Sequence, residues 1–307
     1  MTANDNEMMP DSQLEHCGYV AIIGRPNVGK STLLNRILGQ KISITTDKPQ
    51  TTRHQILGIK TTDNAQVVYI DTPGLHRGVK RAINRYMNRA AMSILNDVDV
   101  IMFVIDGLYW TGEEKYILEK LNLIKTPVVL VVNKVDNIKN KEALLPYLKQ
   151  ISEKSEFSEI VPVSATSGEN IAQMEAAVTR LLPAGMPMFP RDQVTDRSER
   201  FLAAELVREK LMKCLAKEIP YSVTVETKKF TLQNNVLHID ALIWVERDAQ
   251  KAIVIGKEGE LLKRIGTQAR RDMEKIFGNK VFLQLWVKVR KKWADDEKAL
   301  RSLGYMG

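Results

Sequence analysis

Cysteine is nearly absent: Cys17 and Cys214 are the only two in 307 residues. They lie far apart and lack metal-ligand spacing. That excludes a disulfide scaffold and reads as two reduced, structurally incidental thiols of a cytosolic protein. Long apolar runs are missing too, and none approaches the roughly 20 residues a membrane-spanning helix needs. The opening segment, MTANDNEMMPDSQLEH, has neither the basic start nor the apolar stretch of a secretion signal. Residues 1–17 therefore read as a polar, disordered tail. No internal repeat or low-complexity tract interrupts the rest.

Hydrophobic residues make up 44% and charged residues 27%, ordinary proportions for a soluble globular protein. The length favours two domains. The net charge of +8 is unevenly placed: residues 201–307 carry 21 Lys and Arg against 14 Asp and Glu, seven of the eight excess charges. Such asymmetry points to a polyanionic partner for the last third.

From Tyr19 onward apolar runs alternate with amphipathic stretches. The runs are Tyr19–Ile23, Val67–Ile70, Val100–Ile105, Val128–Val132 and Ile160–Val163. Continuous apolar runs between helices predict an α/β domain with a mostly parallel sheet covered on both faces. Segment 56–62 reads as a further strand pairing with 65–70 across Asp63 and Asn64. Three prolines between Pro183 and Pro190 stop helix formation, and 183–200 reads as a linker. Beyond it the pattern predicts a helix over 198–216, with Phe201, Leu202, Leu206, Leu211 and Leu215 inward. Strands follow at Tyr221–Phe230 and Val236–Val245, a helix at Glu260–Phe277 and a strand at Val281–Val289. The expected layout is a first domain over 18–182 and a small α/β domain with a basic C-terminal tail over 201–307.

Gly24-Arg25-Pro26-Asn27-Val28-Gly29-Lys30-Ser31 matches the phosphate-binding loop G-x-x-x-x-G-K-[ST]. It follows one strand and opens one helix, as that chemistry requires. Its backbone N–H groups can turn inward around phosphates, Lys30 offers a cation to the β- and γ-phosphates, and Ser31 offers a hydroxyl to Mg²⁺. Thr32 continues into the helix, whose N-terminus favours the same anion.

Asp71-Thr72-Pro73-Gly74 follows the strand ending at Ile70. An acid there can hold Mg²⁺ through water, and Gly74, lacking a Cβ, lets its N–H approach the γ-phosphate. Asn133-Lys134-Val135-Asp136 follows the next buried strand. Asp136 can accept two hydrogen bonds from guanine, from N1–H and the exocyclic amino group. Adenine offers neither, so a buried, unpaired carboxylate would disfavour it. Asn133 is placed to bridge base and phosphate loop, the Lys134 stem to lie on the purine, and Ser164-Ala165, followed by Thr166, to offer a backbone N–H to guanine O6.

This ordered series resembles the translation-factor-like branch of the P-loop GTPases over residues 19–182. The resemblance implies GTP and GDP as ligands and a switch I threonine completing the Mg²⁺ shell. Thr51 and Thr52 are the candidates, and the place directly before Arg53 favours Thr52. With Ser31 and Asp71 it would form the metal set, and Lys30, Thr52 and Gly74 would be the catalytic groups. Leu75 stands where Ras-like enzymes carry the Gln that orients water, so hydrolysis must be slow, use another group or need a partner. Asn27 resembles the asparagine that holds K⁺ in related GTPases.

In the last third, Gly256-Lys257-Glu258-Gly259 precedes a basic helix carrying Lys263, Arg264, Arg270 and Arg271. A G-x-x-G between two helices, in the order α-β-β-α-α-β, resembles a type II KH domain, an RNA-backbone clamp. Glu258 departs from that pattern, since clamp loops usually carry a basic or small residue there.

The combination of a GTPase domain with a KH domain resembles the bacterial Era GTPase family over about 18–304. The shared segments include Asp196-Arg197-Ser198-Glu199-Arg200-Phe201 and Leu285-Trp286-Val287-Lys288-Val289. The family implies assembly of the small (30S) ribosomal subunit, with the KH domain near the 3′ end of its rRNA. It also implies peripheral contact with the inner membrane, for which Lys288–Lys292 is a candidate, and the default state is a monomer. Two other readings stay open: an RNA-binding assembly protein whose nucleotide site is mainly structural, and a tRNA-modifying GTPase. The second class carries a reactive C-terminal cysteine, whereas Cys214 falls in mid-helix.

Overall fold

The computed structural model describes residues 14–75, 81–216 and 218–305. Most of the expected tail, residues 1–13, lies outside them. The first domain runs β1 (His16–Ile23), α1 (Lys30–Leu38), β2 (Ile56–Thr61), β3 (Ala65–Asp71), α2 (Ala82–Ser93), β4 (Val100–Asp106), α3 (Gly112–Leu121), β5 (Val128–Asn133), α4 (Leu144–Ser152), β6 (Glu159–Pro162) and α5 (Ile171–Thr179). Its six-stranded sheet has the order β2-β3-β1-β4-β5-β6. Only β2 is antiparallel to its neighbour, pairing Thr61 with Gln66 next to the expected turn.

Strand alternation divides the core into two layers. Val20 and Ile22 join Leu33, Leu34 and Ile37 of α1 and Met174 and Val178 of α5 on one face. Ala21 and Ile23 join Ile117, Leu118 and Leu121 of α3 and Ile151 of α4 on the other. β1 begins at His16, inside the segment read as a tail. Leu14 is buried and exchanges backbone hydrogen bonds with Gly185.

The linker is not a free tether. Cys17 N–H donates to Pro183 O at 2.7 Å, Gln66 Oε1 accepts from the N–H groups of Met188 and Phe189, and Ile59 N–H donates to Val194 O at 2.8 Å. The prolines prevent helix, and the segment's backbone polar groups pair along the sheet margin instead.

The second domain runs α6 (Glu199–Cys214), β7 (Thr224–Gln233), β8 (Val236–Val245), α7 (Asp248–Ile255), α8 (Glu260–Phe277), β9 (Lys280–Val289) and α9 (Glu297–Ser302). Its sheet order is β7-β8-β9, with β9 parallel to β8. Leu206, Leu211 and Leu215 enter its core, and Leu202 packs against it. Phe201 does not follow them: it lies against the first domain's core, edge-on to His54. Cys214 closes α6 rather than sitting in its middle, and both cysteines are free.

The C-terminal segment is packed rather than free. Trp293, Ala299, Leu300 and Tyr305 are buried against Ala82 and Ile83 of α2. Four large or apolar residues at 293, 299, 300 and 305 give this segment a face to bury, and it docks on the first domain. Among the described residues no helix is long and apolar enough to cross a membrane.

Candidate nucleotide site and RNA groove

The phosphate loop joins β1 to α1 at the C-terminal edge of the sheet. A pocket there is lined by Asn27, Lys30, Ser31, Thr32 and Gly74, and from switch I, residues 43–55, by Thr45, Thr46, Gln50, Thr51 and Thr52. Lys30 is buried, and its Nζ donates to Gly24 O and Arg25 O, both at 3.0 Å. Burial lowers its ammonium to about 8, with Asp71 working the other way. A Cβ on Gly74 would fall 2.7 Å from Pro26 N, so only glycine lets the Asp71–Gly74 turn close on the loop.

Ser31, Thr52 and Asp71 come together. Ser31 Oγ lies 2.6 Å from Asp71 Oδ2 and 2.7 Å from Thr52 Oγ1. Ser43 Oγ donates to the same carboxylate oxygen at 2.9 Å, while Asp71 Oδ1 is buried without a partner. Burial raises the Asp71 carboxyl, and hydrogen bonds from Ser31, Ser43 and Thr52 together with Lys30's charge oppose it. Two hydroxyls and a carboxylate with an unpaired buried oxygen form a hard oxygen set that fits Mg²⁺. Thr51 turns away, its Oγ1 bonded to Thr46 Oγ1 and Lys48 O.

Asn133 links three loops: its Nδ2 donates to Val28 O at 2.8 Å and its Oδ1 accepts from Ala165 N at 3.0 Å. Of the Ser164-Ala165 backbone N–H groups expected for guanine O6, that of Ala165 is therefore engaged, and that of Ser164 donates to Glu169 O at 3.1 Å. Lys134 adopts φ 64 and its Nζ bonds Asn27 O and Asp106, each at 2.7 Å. Ser164 is buried and Thr166 is exposed. Asp136 is exposed.

Several motif residues keep their side chains out of the pocket. Val28 and Leu75 belong to the two core layers, Thr72 Oγ1 donates to Ile22 O, and Pro73 is buried. Arg25 Nε pairs with Glu114 at 2.5 Å, a carboxylate that also caps α3. Ile44, Thr45, Thr46 and Gln50 line the pocket although no motif marks them; Gln50's left-handed φ of 59 is their only backbone peculiarity.

In the second domain, Gly256–Gly259 forms the turn between α7 and α8, with Lys257 and Glu258 exposed and Glu258 at φ 51. A groove between α8 and β9 is lined by Gly259, Leu262, Lys263, Gly266, Thr267 and Arg270, with Leu283 and Leu285 opposite. Arg264 is exposed outside this lining, and Arg271 edges a separate depression with Lys210 and Asp272. Sequence reasoning missed Gly266. A glycine inside a helix costs about 1 kcal/mol, and here its Cβ would meet Leu285 Cδ1 at 3.3 Å, so its absence narrows the helix-to-strand gap.

Comparison with known proteins follows the same division. The family model described as a 50S ribosome-binding GTPase matches residues 19–134, and the KH-domain model matches residues 218–294. The chain is 57% identical to GTPase Era of Marinobacter nauticus over 295 residues, covering 96% of this chain and 97% of that one. It is 59% identical to GTPase Era of Histophilus somni over 295 residues, covering 96% and 98%. A crystal structure of Era with MgGDPNP and nucleotides 1506–1542 of 16S ribosomal RNA superposes with a TM-score of 0.91 at 41% identity, covering 94% of this chain and 99% of that one.

Proposed function

The chain belongs to the Era family of GTPases, and from that premise we propose that it hydrolyses GTP as a switch whose nucleotide state controls binding to the 3′ region of small-subunit rRNA during 30S assembly. The observation that carries this reading is the pairing, in one chain, of the Ser31–Thr52–Asp71 oxygen cluster with a KH groove whose domain grips switch I. The related Era complex with MgGDPNP and 16S rRNA supports the same ligands for this chain.

In this reading the loop N–H groups and Lys30 hold the β- and γ-phosphates. Ser31, Thr52 and Asp71 would hold Mg²⁺, which would supply charge stabilisation to the transferring phosphoryl group. Asp136 reads the guanine edge. Leu75 lies in the core, so it orients no water, and turnover is slow without help. K⁺ bound at Asn27 would supply positive charge in place of an arginine finger. The protein works as a monomer in the cytoplasm, with peripheral membrane contact through the exposed lysines Lys288, Lys291 and Lys292.

The test is the affinity for labelled single-stranded RNA from the 3′ end of small-subunit rRNA. It is measured with GDPNP, with GDP and without nucleotide at fixed salt, because phosphate contacts are salt-sensitive. Tighter binding with GDPNP is expected. Equal binding in all three states favours an assembly protein with a structural nucleotide site.

A further inference from the structure

Three consecutive residues of switch I face two domains at once. Thr52 turns its hydroxyl to Ser31, 2.7 Å away in the metal cluster. On one side of it, the Thr51 carbonyl accepts from Arg208 Nη2 of α6 at 2.5 Å, and Arg208 is itself fixed by a buried ion pair with Glu205. On the other side, Arg53 is fully buried in the second domain. Its Nη1 donates to Val223 O at 2.7 Å, and its Nη2 donates to Pro220 O and Tyr221 O at 3.2 Å each. The Tyr305 hydroxyl stands 3.5 Å from Nη1, and Trp293 lies beside the guanidinium, 6.0 Å from its centre.

This is an unusual way to hold a charge. No salt bridge of Arg53 occurs among the described residues, and its Nε is buried without a partner. Carbonyl dipoles of the 220–223 turn offset its desolvation, so the arrangement depends on that turn being seated on switch I. The planar fork matters as well: it reaches three carbonyls at once, which a lysine ammonium on a flexible stem cannot reproduce.

We propose that Arg53 is a positioning residue for GTP hydrolysis. Locked in the carbonyl cage of the KH domain, it fixes Thr52 at the metal cluster, so the KH domain completes the catalytic geometry in cis. The proposal rests on Thr52 being a Mg²⁺ ligand. A purely structural interdomain staple would alter stability alone. A positioning residue acts selectively on the triphosphate state, because Thr52 would help hold a metal that neutralises the charge of the γ-phosphate, a group GDP lacks.

The experiment measures single-turnover GTP hydrolysis by the full chain across a Mg²⁺ titration, together with affinities for GDPNP and GDP. Arg53→Lys is compared with wild type, with Thr52→Val and with Arg81→Gln, which breaks a domain contact made by no switch I residue, the 2.6 Å pair with Glu246. Arg53→Lys is expected to lose about 10- to 100-fold in rate, the scale of a small misplacement of a reacting group. Its half-maximal Mg²⁺ concentration rises, GDPNP binds more weakly, and GDP affinity stays within about twofold. Arg81→Gln keeps the wild-type rate. If Arg53→Lys fails to fold, Arg208→Lys carries the same expectation through Thr51. A folded Arg53→Lys protein with wild-type rate and Mg²⁺ response overturns the proposal, as does an equal loss in Arg81→Gln. A wild-type rate in Thr52→Val removes the metal-ligand premise instead, and is distinguished by that variant alone.

Discussion

Asn27 shows what one residue of the phosphate loop does beyond its backbone. It adopts a left-handed φ of 65, tolerated by asparagine, and its Nδ2 donates to Asp47 O of switch I at 2.7 Å. The carboxamide thereby ties the phosphate loop to switch I at the mouth of the pocket. Wild-type hydrolysis is expected to run several-fold faster in K⁺ than in Na⁺ at equal ionic strength. In Asn27→Ala the ratio should fall to about one, and an unchanged ratio would sink the potassium reading. At this scale the motifs were only partly legible. Lys30, Ser31, Asp71 and Asn133 were identifiable because their chemistry is tied to a fixed backbone path. That path says nothing of where a neighbour's side chain turns. Arg25 goes to Glu114, Leu75 to the core and Asp136 to solvent, and each destination depends on residues distant in sequence.

The elements were more legible, for a physical reason. Runs such as Val100–Ile105 and the Ile265, Ala269, Met273 stripe of α8 have a single way to bury their apolar groups, so their periods state their structure. Where pairing depends on distant backbone, as for Leu14 with Gly185 or Val194 with Ile59, no local period exists to read. The Gly256–Gly259 turn carries its own prediction. Glu258 is exposed beside the helix terminus that would face RNA phosphate, so its charge opposes the ligand that the turn favours. Glu258→Lys should tighten single-stranded RNA binding about 5- to 10-fold at low salt and steepen the salt dependence by up to one phosphate contact. Filter binding at several salt concentrations reads both. An unchanged salt slope would mean that the turn does not touch the backbone.

The whole molecule is organised by α6, which the sequence could only half disclose. Ala203, Leu206, Val207 and Leu211 pack into the KH core, while Glu205, Arg208 and Glu209 face switch I. Every residue from Ala203 to Met212 is buried, charged ones included, because the helix lies between two domains. Charges at i, i+3 and i+4 ordinarily mark a solvated face, so the interface was invisible to pattern reading.

Glu209 makes that interface testable by pH. Its buried carboxylate accepts from Lys41 Nζ at 2.7 Å and Thr45 N–H at 3.1 Å, with Lys210 and Lys213 each at 3.2 Å and Asp272 beyond Lys210. Burial alone would raise its carboxyl, but Lys41, then the Thr45 N–H and Lys210, hold it at about 2, against an ordinary 4.5. A carboxyl depressed in the folded state contributes stability that is complete above about 4.5 and is lost as pH falls toward 2. Within that window the loss is about 1.4 kcal/mol per pH unit. Urea unfolding midpoints between pH 5 and 3 should therefore fall more steeply for wild type than for Glu209→Gln, whose side chain does not titrate. Carboxylates outside this cluster titrate alike in both proteins and cancel from the difference, and Asp272, which shares Lys41 and Lys210, is controlled by the same comparison in an Asp272→Asn background. Parallel slopes would show that Glu209 carries no such linkage, and that switch I is held to α6 by Arg208 and Lys48 without it.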